Sequence, residues 1–376
     1  MKVIALYLPQ FHQIPENDDW WGEGFTEWTN IKKAKPLFEG HYQPRIPLNS
    51  NYYDLTDVEV LKWQCQIAKE HSIYGFCFYH YWFNGHLLLE KPMELLLQHP
   101  EIDINYCISW ANENWTNGWV SSSNKILIGH DFNDENDWLE HFNYLLPFFK
   151  DPRYIVEDGK PLMTIYVPHH ISKLKKMLDL WNKMAVNNGF RGLKFMYQHA
   201  NSYHDKSMDK SLFDYGIEFQ PGFIQSLDSS KSKQFSYIWI PKISAWFQKR
   251  LGIHLGLSSR REKLTIKSYD EVWNKILDLR PARDNMIPTA FVDWDNTPRR
   301  TTRGMVFIGS SPKKFKKYFA QLVKNTRKYY KTDKIFIFSW NEWAEGGYLE
   351  PDERHRFGYL KAVKDVLTKE KEQESL

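Results

Sequence analysis

The chain has 376 residues, 42% hydrophobic and 26% charged, enough to bury one large core or two ordinary ones. A net charge of +4 over this length gives no electrostatic footprint for a nucleic acid. The 16 Trp, 21 Tyr and 24 Phe are the excess, and aromatic faces stack on sugars as well as packing cores.

From the N-terminus, Val3 to Leu8 is an apolar run before Pro9, too short for a secretory signal and followed by no small-residue cleavage site. Nowhere does the chain approach the ~20 apolar residues of a membrane span. Cys65, Cys77 and Cys107 are odd in number and lack metal-ligand spacing, so they read as reduced, buried thiols. The expectation is a cytoplasmic protein.

Eight apolar, β-prone runs without clean alternation predict buried parallel strands: Val3–Pro9, Tyr74–Tyr81, Asn105–Ala111, Leu162–Val167, Leu193–Gln198, Tyr215–Gln220, Ile287–Trp294 and Ile335–Trp340. Helical spacing over Asp57–Ser72, Asn136–Phe149, Ile171–Asn187 and Pro312–Tyr330 separates them. Alternation of this kind predicts a single (β/α)₈ TIM barrel over residues 1–364, with a charged, frayed tail at 365–376. Residues 11–51 exceed a typical loop and predict a lid or rim beside the site. Residues 231–267 are basic and aromatic. A solvated basic face over an ordinary helix is the plainer reading; a helix touching an anionic membrane surface or a lipid-linked substrate is the alternative.

In such barrels the site lies where the strands end. Each predicted strand empties into polar groups, among them Gln10, His12, His80, Asn112, Glu113, His199, Glu218, Asp293, Asp295, Glu342 and Glu345. Glu342 and Glu345 follow a buried strand and stand among Trp340, Trp343, Gly346 and Gly347. An apolar wall raises one carboxyl's pKa and a second carboxylate splits the two, giving an acid and a base suited to glycosidic bonds. Trp110, Asn112 and Glu113 can stack on a sugar and clamp its hydroxyls. Asp293 and Asp295 form an Asp-x-Asp pair, read either as the metal grip of a nucleotide-sugar transferase or as hydroxyl-binding carboxylates, and Arg299 as an anion contact or their ion-pair partner. Glu350 reads as exposed.

Six segments carry a resemblance to a known family: Ala5–His12, Gly24–Trp28, Gly75–Trp82, Trp110–Glu113, Trp294–Arg299 and Trp340–Gly346. Together they look like the WbsX family, described as glycosyltransferases of bacterial surface-polysaccharide clusters. That family is similar in turn to the family-99 glycoside hydrolases, endo-acting α-mannosidases and mannanases on a (β/α)₈ barrel. The resemblance implies that Glu342 takes the proton of a sugar 2-hydroxyl, whose oxygen closes on C1 as an epoxide. Glu345 would protonate the leaving oxygen and then deprotonate the acceptor. The substrate-binding candidates are Tyr7, Gln10, His12, His80, Trp82, Trp110, Asn112, Glu113, Asp293, Asp295, Arg299, Trp340, Asn341 and Trp343. The implied substrate is an oligo- or polysaccharide, lipid-linked in one version, with no metal or organic cofactor required and no nucleic acid partner. The alternatives are a transferase using a nucleotide- or lipid-linked donor and a non-catalytic glycan-binding barrel.

Overall fold

A computed structural model of the chain describes residues 1–116, 125–199, 208–227 and 264–374. Its centre is a closed barrel of eight parallel strands: β1 (Lys2–Tyr7), β2 (Gly75–Phe83), β3 (Asn105–Trp110), β4 (Lys160–Ile165), β5 (Lys194–His199), β6 (Tyr215–Glu218), β7 (Met286–Phe291) and β8 (Lys334–Phe338). Neighbours pair in sequence order, and β1 closes the ring by pairing with both β2 and β8. All eight predicted strands are present. Continuous apolar runs form them because in a barrel wrapped by helices both strand faces are buried.

Helices cover the outside: α1 (Pro15–Trp21) and α2 (Glu27–Lys33) in the first loop, then α3 (Val58–Glu70), α4 (Lys91–Gln98), α5 (Glu135–Lys150), α6 (Leu174–Asn187), α7 (Tyr269–Asp278), α8 (Pro312–Tyr329) and α9 (Gly358–Glu374). Their starts follow local chemistry. Asp57 accepts from the Glu59 amide to cap α3, and Ser311 accepts from Lys314 just before Pro312 opens α8.

One sequence expectation changes here. The expected tail at 365–376 is not separate, because α9 runs through residue 364 with Val366 and Leu367 buried. The long first loop is tied to the turn after β7. Arg45 donates to Asp293 at 2.8 Å, while His41 and Gln43 bond the Asp295 carboxylate at 2.8 and 2.7 Å. Of the basic insertion, residues 231–263 lie outside the described residues. Its end, Thr265–Ser268, is a strand pairing in parallel with Met305–Ile308. Among the described residues no helix is long and apolar enough to cross a membrane.

Candidate active site

Immediately after β8 the chain folds into a tight hairpin, Asn341–Glu342 against Gly347–Tyr348. Ser339 Oγ holds its base, accepting from the Glu342 amide at 2.8 Å and donating to the Gly347 carbonyl at 2.5 Å. The turn needs its glycines. Gly346 has φ +69°, and a Cβ there would lie 2.9 Å from the Asp295 amide nitrogen; at Gly347 it would meet Phe338 at 2.3 Å. Thus Glu342 sits on the hairpin arm and Glu345 in its turn, both at the C-terminal mouth of the barrel.

Arg299, in the turn after β7, reaches both. Its Nη1 donates to Glu345 Oε1 at 3.0 Å and its Nη2 lies 3.6 Å from Glu342 Oε2. The same guanidinium grips a third carboxylate, Glu27 at the start of α2: Nε donates at 3.2 Å and Nη2 stands 3.0 Å away. Asp295 shapes the Arg299 turn, accepting from the Thr297 amide at 3.0 Å and hydroxyl at 2.6 Å. Burial and then the Glu345 charge push the Glu342 carboxyl up to about 8, against the pull of Arg299. Burial also raises Glu345, against the pull of the Arg299 charge. Glu342 Oε2 is buried and has no hydrogen bond among the described residues.

An aromatic wall faces this cluster. Tyr79 and Tyr81 enter from β2, Tyr166 from the end of β4 and Phe219 from the end of β6. Tyr79 and Tyr166 ring centres lie 6.2 Å apart, Tyr166 and Phe219 6.4 Å. Burial holds the Tyr79 and Tyr81 hydroxyls protonated, and the nearby Glu342 charge adds to the effect. For Tyr166 burial leads and the charges of Glu113, Glu345 and Glu342 follow in holding its hydroxyl protonated. Gln10 donates to Tyr81 at 3.2 Å. Outward along the rim, Trp115 packs edge-on to Tyr81 at 5.1 Å and to Trp20 at 5.7 Å.

Residues 3–363 match the family described as Glycosyltransferase WbsX. The chain belongs to that family. It is 31% identical over 378 residues to the uncharacterized protein WxcX of Xanthomonas campestris pv. campestris, covering 98% of this chain. The chain spans about half (50%) of the length of the curated relatives it matches. Among solved structures it is similar to the GH99 endo-alpha-mannosidase from Bacteroides thetaiotaomicron, with a TM-score of 0.57 and 13% identity, covering 100% of this chain and 98% of that one. A glycoside hydrolase-like protein follows at TM-score 0.54 and 12% identity, covering 97% and 93%. At such identities the likeness is one of fold.

In this WbsX-family chain only part of the sequence-derived set meets at the mouth: Glu342, Glu345 and Arg299 directly, Gln10 through Tyr81, and exposed Glu113 beside Tyr166. The others serve the scaffold. Tyr7 donates to Gln64 at 2.6 Å behind β1. His80 pairs with His141 of α5 at 2.9 Å, and burial brings its pKa down to about 3; Trp82 donates to Asp137 at 2.8 Å. Both are placed outward because strand neighbours alternate, which turns Tyr79 and Tyr81 inward instead. Trp110 packs on His141 and Trp181 in the helix layer. Asn112 exchanges hydrogen bonds with the Val167 backbone, and Asn341 does the same with Leu8, tying strand ends together. Trp343 donates at 2.6 Å to Glu350, and Trp340 packs on Phe76 in the core. Glu350, expected exposed, is buried and also accepts from Tyr53 and Gln64, each at 2.7 Å. His12 is buried below the rim, which keeps its imidazole neutral despite nearby Asp54 and Glu90. Asp293 and Asp295 anchor the first loop, so the carboxylate oxygens that bond Arg45, His41, Gln43 and Thr297 are spent on protein contacts. Burial works against the Asp295 charge, but those partners bring its pKa down to about 2.

Tyr79, Tyr81, Tyr166 and Glu27 are the site residues that sequence reasoning did not select. Strict period-two alternation through Phe78–Phe83 marks Tyr79 and Tyr81 as one face, but nothing in a run buried on both sides says which face is inner. Glu27 carried the weaker signal of an acidic residue beside Trp28.

Proposed function

We propose that the chain cleaves or transfers glycosidic bonds of a surface polysaccharide or its precursor, with Glu342 and Glu345 as the reacting pair. One observation carries this reading: the buried Glu342 and the half-buried Glu345 share the guanidinium of Arg299 at a barrel mouth lined with tyrosines. Such a pair supplies an acid and a base from one residue type, and the aromatic faces suit a sugar ring.

In this reading Glu342 removes the proton of the sugar 2-hydroxyl while O2 attacks C1 and Glu345 protonates the departing oxygen. Glu345 then deprotonates water or an acceptor hydroxyl, which opens the 1,2-anhydro ring at C1 as Glu342 returns its proton to O2. Two inversions give net retention. Arg299 bonds Glu345 in the free protein, which leaves the shared proton on Glu342. The reaction therefore begins with that proton passing to Glu345 as the sugar hydroxyl engages Glu342.

Glu342→Gln and Glu345→Gln should each lower turnover by about 10²- to 10⁴-fold on a cleavable surface-polysaccharide fragment, read by mass spectrometry of the products. Near-native turnover in both variants would remove the pair from the chemistry. Adding an acceptor sugar, with and without nucleotide sugars, separates hydrolysis from transfer by product mass.

A further inference from the structure

Glu27 lies far from the pair in sequence, on the loop after β1, yet it is buried against the same guanidinium. Its place is built: the Glu27 amide donates to the Gln10 carbonyl at 3.1 Å, and neighbouring Trp28 donates to the Tyr53 carbonyl at 2.8 Å and packs on Trp343 at 5.6 Å. Two guanidinium nitrogens of Arg299 face Glu27, one bonds Glu345, and Glu342 Oε2 is left at 3.6 Å with no hydrogen bond among the described residues. Three carboxylates therefore divide one positive charge in a desolvated pocket. Were all three ionised, the group would carry two uncompensated negative charges, which a buried site does not tolerate.

We infer that Glu27 is a positioning residue that engages Arg299 so that the Glu342–Glu345 pair keeps exactly one proton at neutral pH. With Glu27 neutral, Arg299 turns its full charge on the pair and both glutamates ionise, leaving two bases and no acid. Glu27 itself makes and breaks no bond. The role rests on the proposed glutamate chemistry for its purpose, but not for its measurement. The other charged or titratable groups facing the pair are Arg300 beside Glu345, and Tyr79, Tyr81 and Tyr166 with Glu113 across the mouth. Tyr79 and Tyr81 are buried and Tyr166 half-buried, and all three stay neutral through the relevant range. Burial and the charge of Glu27 both favour the protonated pair, in agreement with the geometry.

Carbon-13 NMR of protein labelled at the glutamate carboxyls, with resonances assigned from Glu342→Gln and Glu345→Gln, follows the pair without any substrate. In Glu27→Gln the upper titration midpoint should fall by at least about one pH unit, a tenfold loss of proton affinity. An unmoved midpoint in a folded Glu27→Gln protein overturns the assignment. Where that variant fails to fold, infrared spectroscopy of the wild-type protein at pH 7 decides. A protonated-carboxyl band that vanishes in Glu342→Gln supports the single retained proton; its absence overturns it. A shifted midpoint together with full turnover in Glu342→Gln and Glu345→Gln would sink the catalytic reading and leave the Glu27 effect standing.

Discussion

At the scale of single residues, the site stores instability. Glu342 binds its proton more tightly in the folded protein than in the unfolded chain, so its contribution to stability is present at low pH. That contribution is lost as pH rises from the ordinary carboxylate range through about 8. Glu342→Gln removes the cost of the buried charge, and should stabilise the protein by roughly 1–3 kcal/mol above pH 8 and by almost nothing near pH 4. Melting temperatures across that range test it; a gain equal at every pH would assign the effect to packing. The glutamate pair was legible in the sequence because carboxylates beside Trp and Gly at the end of an apolar run have few structural uses. Tyr7, His80 and Trp82 were misjudged because residue type says nothing about which strand face a side chain takes. Glu350 shows the opposite error: Pro351 and the charged residues after it suggested solvent, whereas three donors from separate elements make its burial tolerable.

At the scale of elements, the first loop and the β7 turn form one polar joint. Asp295 joins His41 and Gln43 to Thr297, and Asp293 receives Arg45. Asp295→Ala strands those donors in a dry interior and should cost about 3–5 kcal/mol, the usual penalty for breaking a buried charged pair. The variant should melt lower and become open to protease between residues 34 and 50; an unchanged melting temperature and cleavage pattern would show that the joint lies elsewhere. All eight strands could be read from the sequence, because buried parallel strands leave apolar runs of tell-tale length. The joint could not, since its partners stand about 250 residues apart and no local pattern links them.

At the scale of the whole molecule, the barrel depends on its final helix. Val366 and Leu367 of α9 are buried, and Lys316 and Arg327 of α8 pair with Asp365 and Glu370. Removing residues 365–376 should destabilise the protein by at least about 2 kcal/mol, visible as a lower thermal midpoint by circular dichroism. A truncated chain that melts with the full one would restore the frayed tail expected from the charged sequence. That suggestion arose because lysines and glutamates dominate the segment, while the two aliphatic residues that dock it are easily overlooked. The ring itself closes where Asn341 grips both backbone groups of Leu8 and the Trp340 amide donates to Leu6. The first and last strands of the barrel are thus joined just before the hairpin that carries Glu342 and Glu345. During synthesis Glu27 and then Arg299 precede Glu342 and Glu345, and the seam stays open until β8 is made. The cluster of three carboxylates around Arg299 can therefore assemble only once all eight strands have been made.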